Sequence, residues 1–167
     1  MMALSDFLIK ETIHESSNSL VYRGVRQSDT CPVVLKVLKP DYPTPIALAR
    51  YTYEYDITRS LDLAGVSRAY ELQNHERTLV MILEDFGGES LDRWMQRSPT
   101  QYCPMALHEW LRLGIQLTQI LGQIHAANVI HRDINPGNIV INPETGVVKI
   151  IDFGISTRFS YTTPIFQ

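Results

Sequence analysis

Short β-branched runs separated by polar turns fill the first part of the chain, and helical spacing governs much of the rest. Phe7 to Ile13 alternates loosely between apolar and polar residues and predicts a first strand. Leu20-Val21-Tyr22-Arg23-Gly24-Val25 predicts a second, after a turn of small polar residues from His14 to Ser19. Pro32 to Leu38 predicts a third, with Lys36 as its one central charge. A lone lysine in such a strand is ordinarily a solvated edge residue. Pro40, Pro43 and Pro45 end the strand pattern, and a helix is expected from near Pro45. Its apolar stripe runs through Ile46, Ala49, Tyr53, Ile57 and Leu61, with Glu54 near the middle. Ala69 to Gln73 and Thr78 to Leu83 predict a strand pair turned at Asn74 to Arg77. Glu84 to Glu89 reads as a linker, and Ser90 as the N-cap of a short helix through Leu91, Trp94 and Met95. Leu107 to Ala127 is the longest helical pattern, with Leu107, Trp110, Leu111, Leu117, Leu121 and Ile124 as its apolar positions. A loop from His131 to Asn138 follows, then strands at Ile139–Ile141 and Val147–Ile151 around a turn at 142–146, and a loop from Ser156 onward.

Composition narrows the classes. With 167 residues, 44% apolar and 20% charged, the chain suits one globular domain able to bury a core. A net charge of -3 and the lack of any basic run argue against a nucleic-acid surface. Cys31 and Cys103 show no metal or redox spacing and read as reduced thiols. The first residues lack the basic start and apolar run of a signal peptide, and no stretch is apolar enough to span a bilayer, so a cytoplasmic protein is expected.

The chemistry gathers around His131-Arg132-Asp133-Ile134-Asn135-Pro136-Gly137-Asn138 and Asp152-Phe153-Gly154. A loop, a strand, a turn and a second strand would bring Asp133, Asn138 and Asp152 to one cleft. Asp133 could orient an acceptor hydroxyl and take its proton. Asp152 and Asn138 offer the oxygen ligands that magnesium prefers. Lys36 could hold phosphates if Glu54 orients it. His131, at a helix-to-loop junction, reads as a structural hydrogen-bonding residue. Arg132 is open between a solvated charge and a receiver for a phosphorylated loop residue. Each signal is weak alone; their occurrence in this order and these contexts is not.

Together these parts resemble the protein kinase family, of the eukaryotic serine/threonine kind, from about Phe7 to the end of the chain. Glu15 to Gly24, Leu83 to Leu91 and His131 to Asn138 carry a closer likeness to the N-terminal kinase-like domain of cyanobacterial hybrid sensor proteins. The resemblance implies an α+β, bilobal fold: a five-stranded antiparallel sheet with one helix, then the first part of a mainly helical lobe. Residues 1–86 would form the small lobe and hinge, and 87–167 a partial large lobe ending in the activation loop. ATP and Mg2+ would be the ligands and a protein hydroxyl the acceptor. Asp133 would be the base; Lys36 the phosphate lysine, with Glu54 as its partner; and Asn138 and Asp152 the metal ligands. Val21, Val34 and Val140 would pack on adenine, Leu83 would stand behind it, and Glu84 to Phe86 would form the hinge.

Three departures qualify the likeness. His14, Ser16 and Ser19 stand where the phosphate-covering loop has glycines. Asn135 replaces a lysine that touches the γ-phosphate. The chain ends at Gln167, so exposed apolar surface is expected on the Leu107–Ala127 helix, along with a need for further domains or a partner chain. A non-catalytic module that binds nucleotide or a partner is therefore the competing expectation, and a small-molecule phosphotransferase a third.

Overall fold

The computed structural model describes residues 6–39, 43–96 and 106–159. Residues 1–5, Pro40, Cys103 and Ser160 to Thr163, which carried some of the expectations above, lie outside them. β1 (Phe7–Glu15), β2 (Ser19–Arg26) and β3 (Cys31–Leu38) form an antiparallel meander. α1 (Pro45–Ser60) follows, then the hairpin β4 (Ala69–His75) and β5 (Thr78–Glu84). β5 inserts beside β3, giving one five-stranded sheet in the order β1-β2-β3-β5-β4. Alternation explains which face is covered: Val33, Leu35, Val80 and Ile82 are buried on one side with Phe7. On the other side Leu38 and Met81 pack with Tyr51 of α1.

The linker region is more ordered than its sequence suggests. β6 (Glu89–Ser90) leads into α2 (Leu91–Gln96). α3 (Leu107–Ala126) and β7 (Val129–Ile130) come next, then a single 3-10 turn at Pro136–Asn138. β8 (Ile139–Ile141) pairs with β6 on one side and β9 (Val148–Ile150) on the other, giving a second sheet ordered β6-β8-β9. β10 (Thr157–Arg158) pairs with β7, where only a loop was expected.

A second core joins the two parts. Ile57 of α1 and Leu61 just after it pack with Leu113, Ile120 and Ile124 of α3, with Ile150 of β9 and with Phe153 beyond β9. Gly65 makes this contact possible, since a Cβ there would lie 2.3 Å from the Ile120 side chain.

The apolar stripe of α1 differs from expectation. On α1 the buried residues are Tyr51, Glu54, Ile57 and Thr58, whereas Ile46 is 73% exposed and Tyr53 41%. The helix presents a mixed polar face to the sheet because that face carries an ion pair. On α3, Leu113, Ile120 and Ile124 are buried, with Trp110, Leu117 and Leu121 packed against them. Leu107, Leu111 and Ile115, one turn apart, are exposed.

Candidate functional site

A cleft of about 460 Å3 lies between the five-stranded sheet and the second sheet. Of the sequence-predicted residues, Lys36, Glu54, Asp133, Asn138, Asp152, Val21, Val34, Leu83, Glu84, Phe86 and Val140 all line it. Register explains the grouping. Val21 and Lys36 are opposite each other on β2 and β3, and Val34 is opposite Leu83 on β3 and β5.

Lys36 is gripped from two sides. Its Nζ donates to Glu54 Oε1 at 2.5 Å and to Asp152 Oδ2 at 3.2 Å. The side chains of Lys36 and Glu54 are only 12% and 8% exposed. Burial opposes the charge on Lys36, but the Glu54 and Asp152 carboxylates outweigh it and raise the ammonium's pKa. At Glu54 burial raises the pKa against the pull of Lys36, a tendency opposite to the one at its partner. We take the pair as ionised at neutral pH, because the ammonium also faces Asp152 and so keeps its proton. Burial would raise Asp152 as well, yet the Lys36 charge and the Gly154 N–H bring it below the ordinary carboxylate value.

Tyr51 supports the same lysine from behind. Its hydroxyl donates to the Lys36 carbonyl, one helical turn before Glu54. Burial drives the phenol's pKa well above its ordinary value, so it remains a donor. Replacing Tyr51 by phenylalanine is expected to lower unfolding stability by about 1 kcal/mol, read from urea denaturation, with the slope unchanged.

The loop beyond β7 is organised by His131, which is 1% exposed. Nε2–H donates to the Ile151 carbonyl at 2.9 Å, and Nδ1 accepts the Asp133 N–H at 3.2 Å. That pairing sets the neutral tautomer. The ring meets Phe153 edge-on, with centroids 4.7 Å apart. One imidazole thereby ties the Asp133 loop to the Asp152 segment, a structural role as expected. Arg132 and Asp152 hold left-handed backbones, φ 71° and 64°, which non-glycine residues rarely adopt. Strain of this sort concentrates where geometry serves function. Arg132 itself donates to Thr157 Oγ1 at 3.0 Å and, with Arg50, lines a separate open hollow beside α1.

Glu84 differs in detail. Its carboxylate Oε2 accepts from Lys149 Nζ at 2.7 Å and from the Arg68 N–H at 3.2 Å. Lys149, 5.3 Å over the Phe86 ring, braces this segment. Sequence reasoning missed Lys149, and also Arg23 and Arg93. Arg23 on β2 reaches Asp85 at 2.9 Å and the Gly88 carbonyl at 2.6 Å; Arg93 on α2 reaches the Ile13 carbonyl at 2.9 Å. A basic residue flanked by β-branched ones just before Asp152 was the available signal for Lys149. No local signal marks Arg23 or Arg93 for the cleft, since their contacts with Asp85, Gly88 and Ile13 join segments more than sixty residues apart.

The turn between β1 and β2 is closed on itself. Ser16 Oγ accepts the N–H groups of Ser19 and Asn18 at 3.0 and 3.3 Å, and the Ser16 N–H donates to the Ser19 carbonyl. Lys39 Nζ bridges Glu15 and the Ser16 carbonyl.

Comparison with known proteins bears on this arrangement. Residues 7–166 match the protein kinase domain family. Serine/threonine-protein kinase PknA of Mycobacterium tuberculosis is 33% identical over 130 residues, and the protein of the same name from Mycobacterium bovis is equally similar. Serine/threonine-protein kinase PrkC of Bacillus subtilis is 30% identical over 132 residues. The alignments cover 74% and 78% of this chain, but only 29% of PknA and 20% of PrkC.

Proposed function

The chain belongs to the protein kinase domain family, and from that premise we propose that it transfers the γ-phosphoryl group of Mg-ATP to serine or threonine hydroxyls of a protein. The observation that carries the reading is the Lys36–Glu54–Asp152 chain of contacts, closed at 2.5 and 3.2 Å across one cleft. Lys36, held by Glu54, binds the α/β-phosphates. Val21, Val34 and Val140 pack on adenine, Leu83 stands behind it, and the backbone of Glu84 to Phe86 borders it. Residues 1–86 act as small lobe and hinge, and 87–167 as the beginning of the large lobe.

The donor set suits magnesium. Asp152 presents a carboxylate 44% exposed to the cleft, and Asn138 an amide whose Nδ2 is engaged by Asp133 while Oδ1 makes no hydrogen bond among the described residues. Hard oxygen donors, completed by phosphate oxygens and water, fit that ion. When bound, it neutralises charge on the transferring phosphate. Asp133 orients the acceptor hydroxyl and takes its proton at a carboxylate oxygen. Asn135 supplies no charge to the γ-phosphate, so transfer is slow.

The finer likeness to the kinase-like domain of cyanobacterial hybrid sensors belongs to the same reading, as does a cytoplasmic location. Among the described residues no helix is long and apolar enough to cross a membrane. Protein substrates, rather than nucleic acid, are the expected partners.

The closed turn between β1 and β2 favours a second reading, a nucleotide-binding module without transfer. Its Ser16, Asn18 and Ser19 N–H groups already have partners within the turn. Calorimetry of ATP with and without magnesium, beside label transfer to a generic protein acceptor, separates the two. Magnesium-dependent binding with transfer supports the kinase reading. Binding by folded protein without transfer supports the module.

A further inference from the structure

We propose that Asn135 is a positioning residue that aims the Asp133 carboxylate, in place of touching phosphate. The proposal rests on the reading of Asp133 as the base. It begins from an accounting of polar atoms at Asp133. The N–H donates to His131 Nδ1 at 3.2 Å. The carbonyl accepts Asn138 Nδ2 at 3.0 Å and, more weakly, Asn135 Nδ2 at 3.3 Å. Oδ1 accepts Asn135 Nδ2 at 3.1 Å, and Oδ2 accepts Asn138 Nδ2 at 2.9 Å. Each carboxylate oxygen thus has its own amide donor, from either end of the same short turn. Rotation about the last side-chain bond would break both contacts at once, so the pair fixes the carboxylate plane.

The orientation of the Asn135 amide follows from the same network. Its Oδ1 accepts the Gly137 N–H at 2.9 Å and the Asn138 N–H at 3.3 Å, capping the 3-10 turn. Turned the other way, the amide would set its NH2 against two N–H donors and its oxygen against a carboxylate. Pro136 loses nothing at the first position of the turn, where its missing N–H would have no partner. Gly137 leaves room for the cap, because a Cβ there would lie 3.1 Å from Asn135 Oδ1. Asn135, Pro136, Gly137 and Asn138 therefore act as one device. A lysine at 135 has no acceptor and could not build it.

The test compares two substitutions. Asn135→Ser keeps an oxygen able to cap the turn but is too short to reach Asp133. Asn135→Lys restores a cation and removes the cap. The expected result is a kcat for phosphoryl transfer reduced roughly tenfold or more in both, with KM for ATP unchanged in the serine variant. An unchanged kcat in Asn135→Ser, or a faster rate in Asn135→Lys, overturns the proposal, since either places Asn135 in the vacated phosphate-contact role or in none. A second readout needs no turnover. In 15N-resolved spectra the side-chain amide signals of Asn135 and Asn138 should both move in Asp133→Ala. Were the wild-type chain to transfer nothing, the kinase reading would fail on that assay. The amide signals would still decide the contact: stationary Asn135 signals refute it, and displaced signals sustain it.

Discussion

Replacing Lys36 by methionine is expected to lower phosphoryl transfer by roughly 10²–10³-fold, the cost of removing one preorganised charged donor from a partly closed site. ATP affinity should fall with it in calorimetry. The argument is electrostatic. Lys36 stands between two carboxylates, Glu54 at 2.5 Å and Asp152 at 3.2 Å. Methionine fills nearly the same volume but leaves Glu54, 8% exposed, with no cation beside it. Two consequences follow at the neighbours. Glu54 keeps only the influences that raise its pKa, burial first and then Asp152, so it should bind a proton more readily. Asp152 loses the charge that offsets its burial, and its pKa should rise from below the ordinary carboxylate value. In the wild type, the stability contributed by Asp152 is present above its unfolded pKa of about 3.9 and lost as pH falls through the lower folded value. In the variant the folded value moves toward or above the unfolded one, so this contribution shrinks and stability should fall less steeply as pH is lowered from neutral, which acid unfolding followed by circular dichroism would register. An unaltered acid transition together with unaltered ATP binding would show that Lys36 takes no part in the site.

The difference between what could and could not be read in advance has a physical pattern. β1 to β5 were legible because a half-buried strand needs alternation and β-branched residues, and both are local properties. Lys36 and Glu54 were legible only as members of an ordered set. Alone, Lys36 is indistinguishable from Lys149, another lysine in a β-branched strand that proves to be buried against Glu84 and Phe86. The buried face of α1 was misjudged for a related reason. Helical periodicity detects aliphatic stripes, whereas this helix buries Tyr51, Glu54 and Thr58 around an ion pair and leaves Ile46 exposed. The arginines of the cleft mouth were invisible because Arg23 to Gly88 and Arg93 to Ile13 are contacts between distant segments. Asn135 was read as a missing charge. Its hydrogen bonds depend on the exact path of the Pro136–Asn138 turn, which sequence spacing does not disclose.

The replacement of Asp133 by asparagine should separate binding from chemistry. A positioned base contributes about 10²–10⁴-fold, and transfer is expected to fall within that range. ATP binding should stay near the wild-type value, because Asp133 makes no contact with Lys36, Glu54 or Asp152 among the described hydrogen bonds. The substitution nevertheless does more than remove a charge. Asp133 accepts one amide on each carboxylate oxygen, from Asn135 at 3.1 Å and Asn138 at 2.9 Å. Asparagine offers a single oxygen, so its NH2 must face one of those two donors or turn away from both. If it displaces Asn138, the amide proposed as a metal ligand moves too, and the magnesium dependence of ATP binding should weaken. If it displaces Asn135, the cap on the turn loosens and magnesium dependence is preserved. Magnesium titrations at fixed ATP tell these apart. A variant that transfers phosphate at the wild-type rate would remove Asp133 from the chemistry, and with it the reason for two amides to hold one carboxylate.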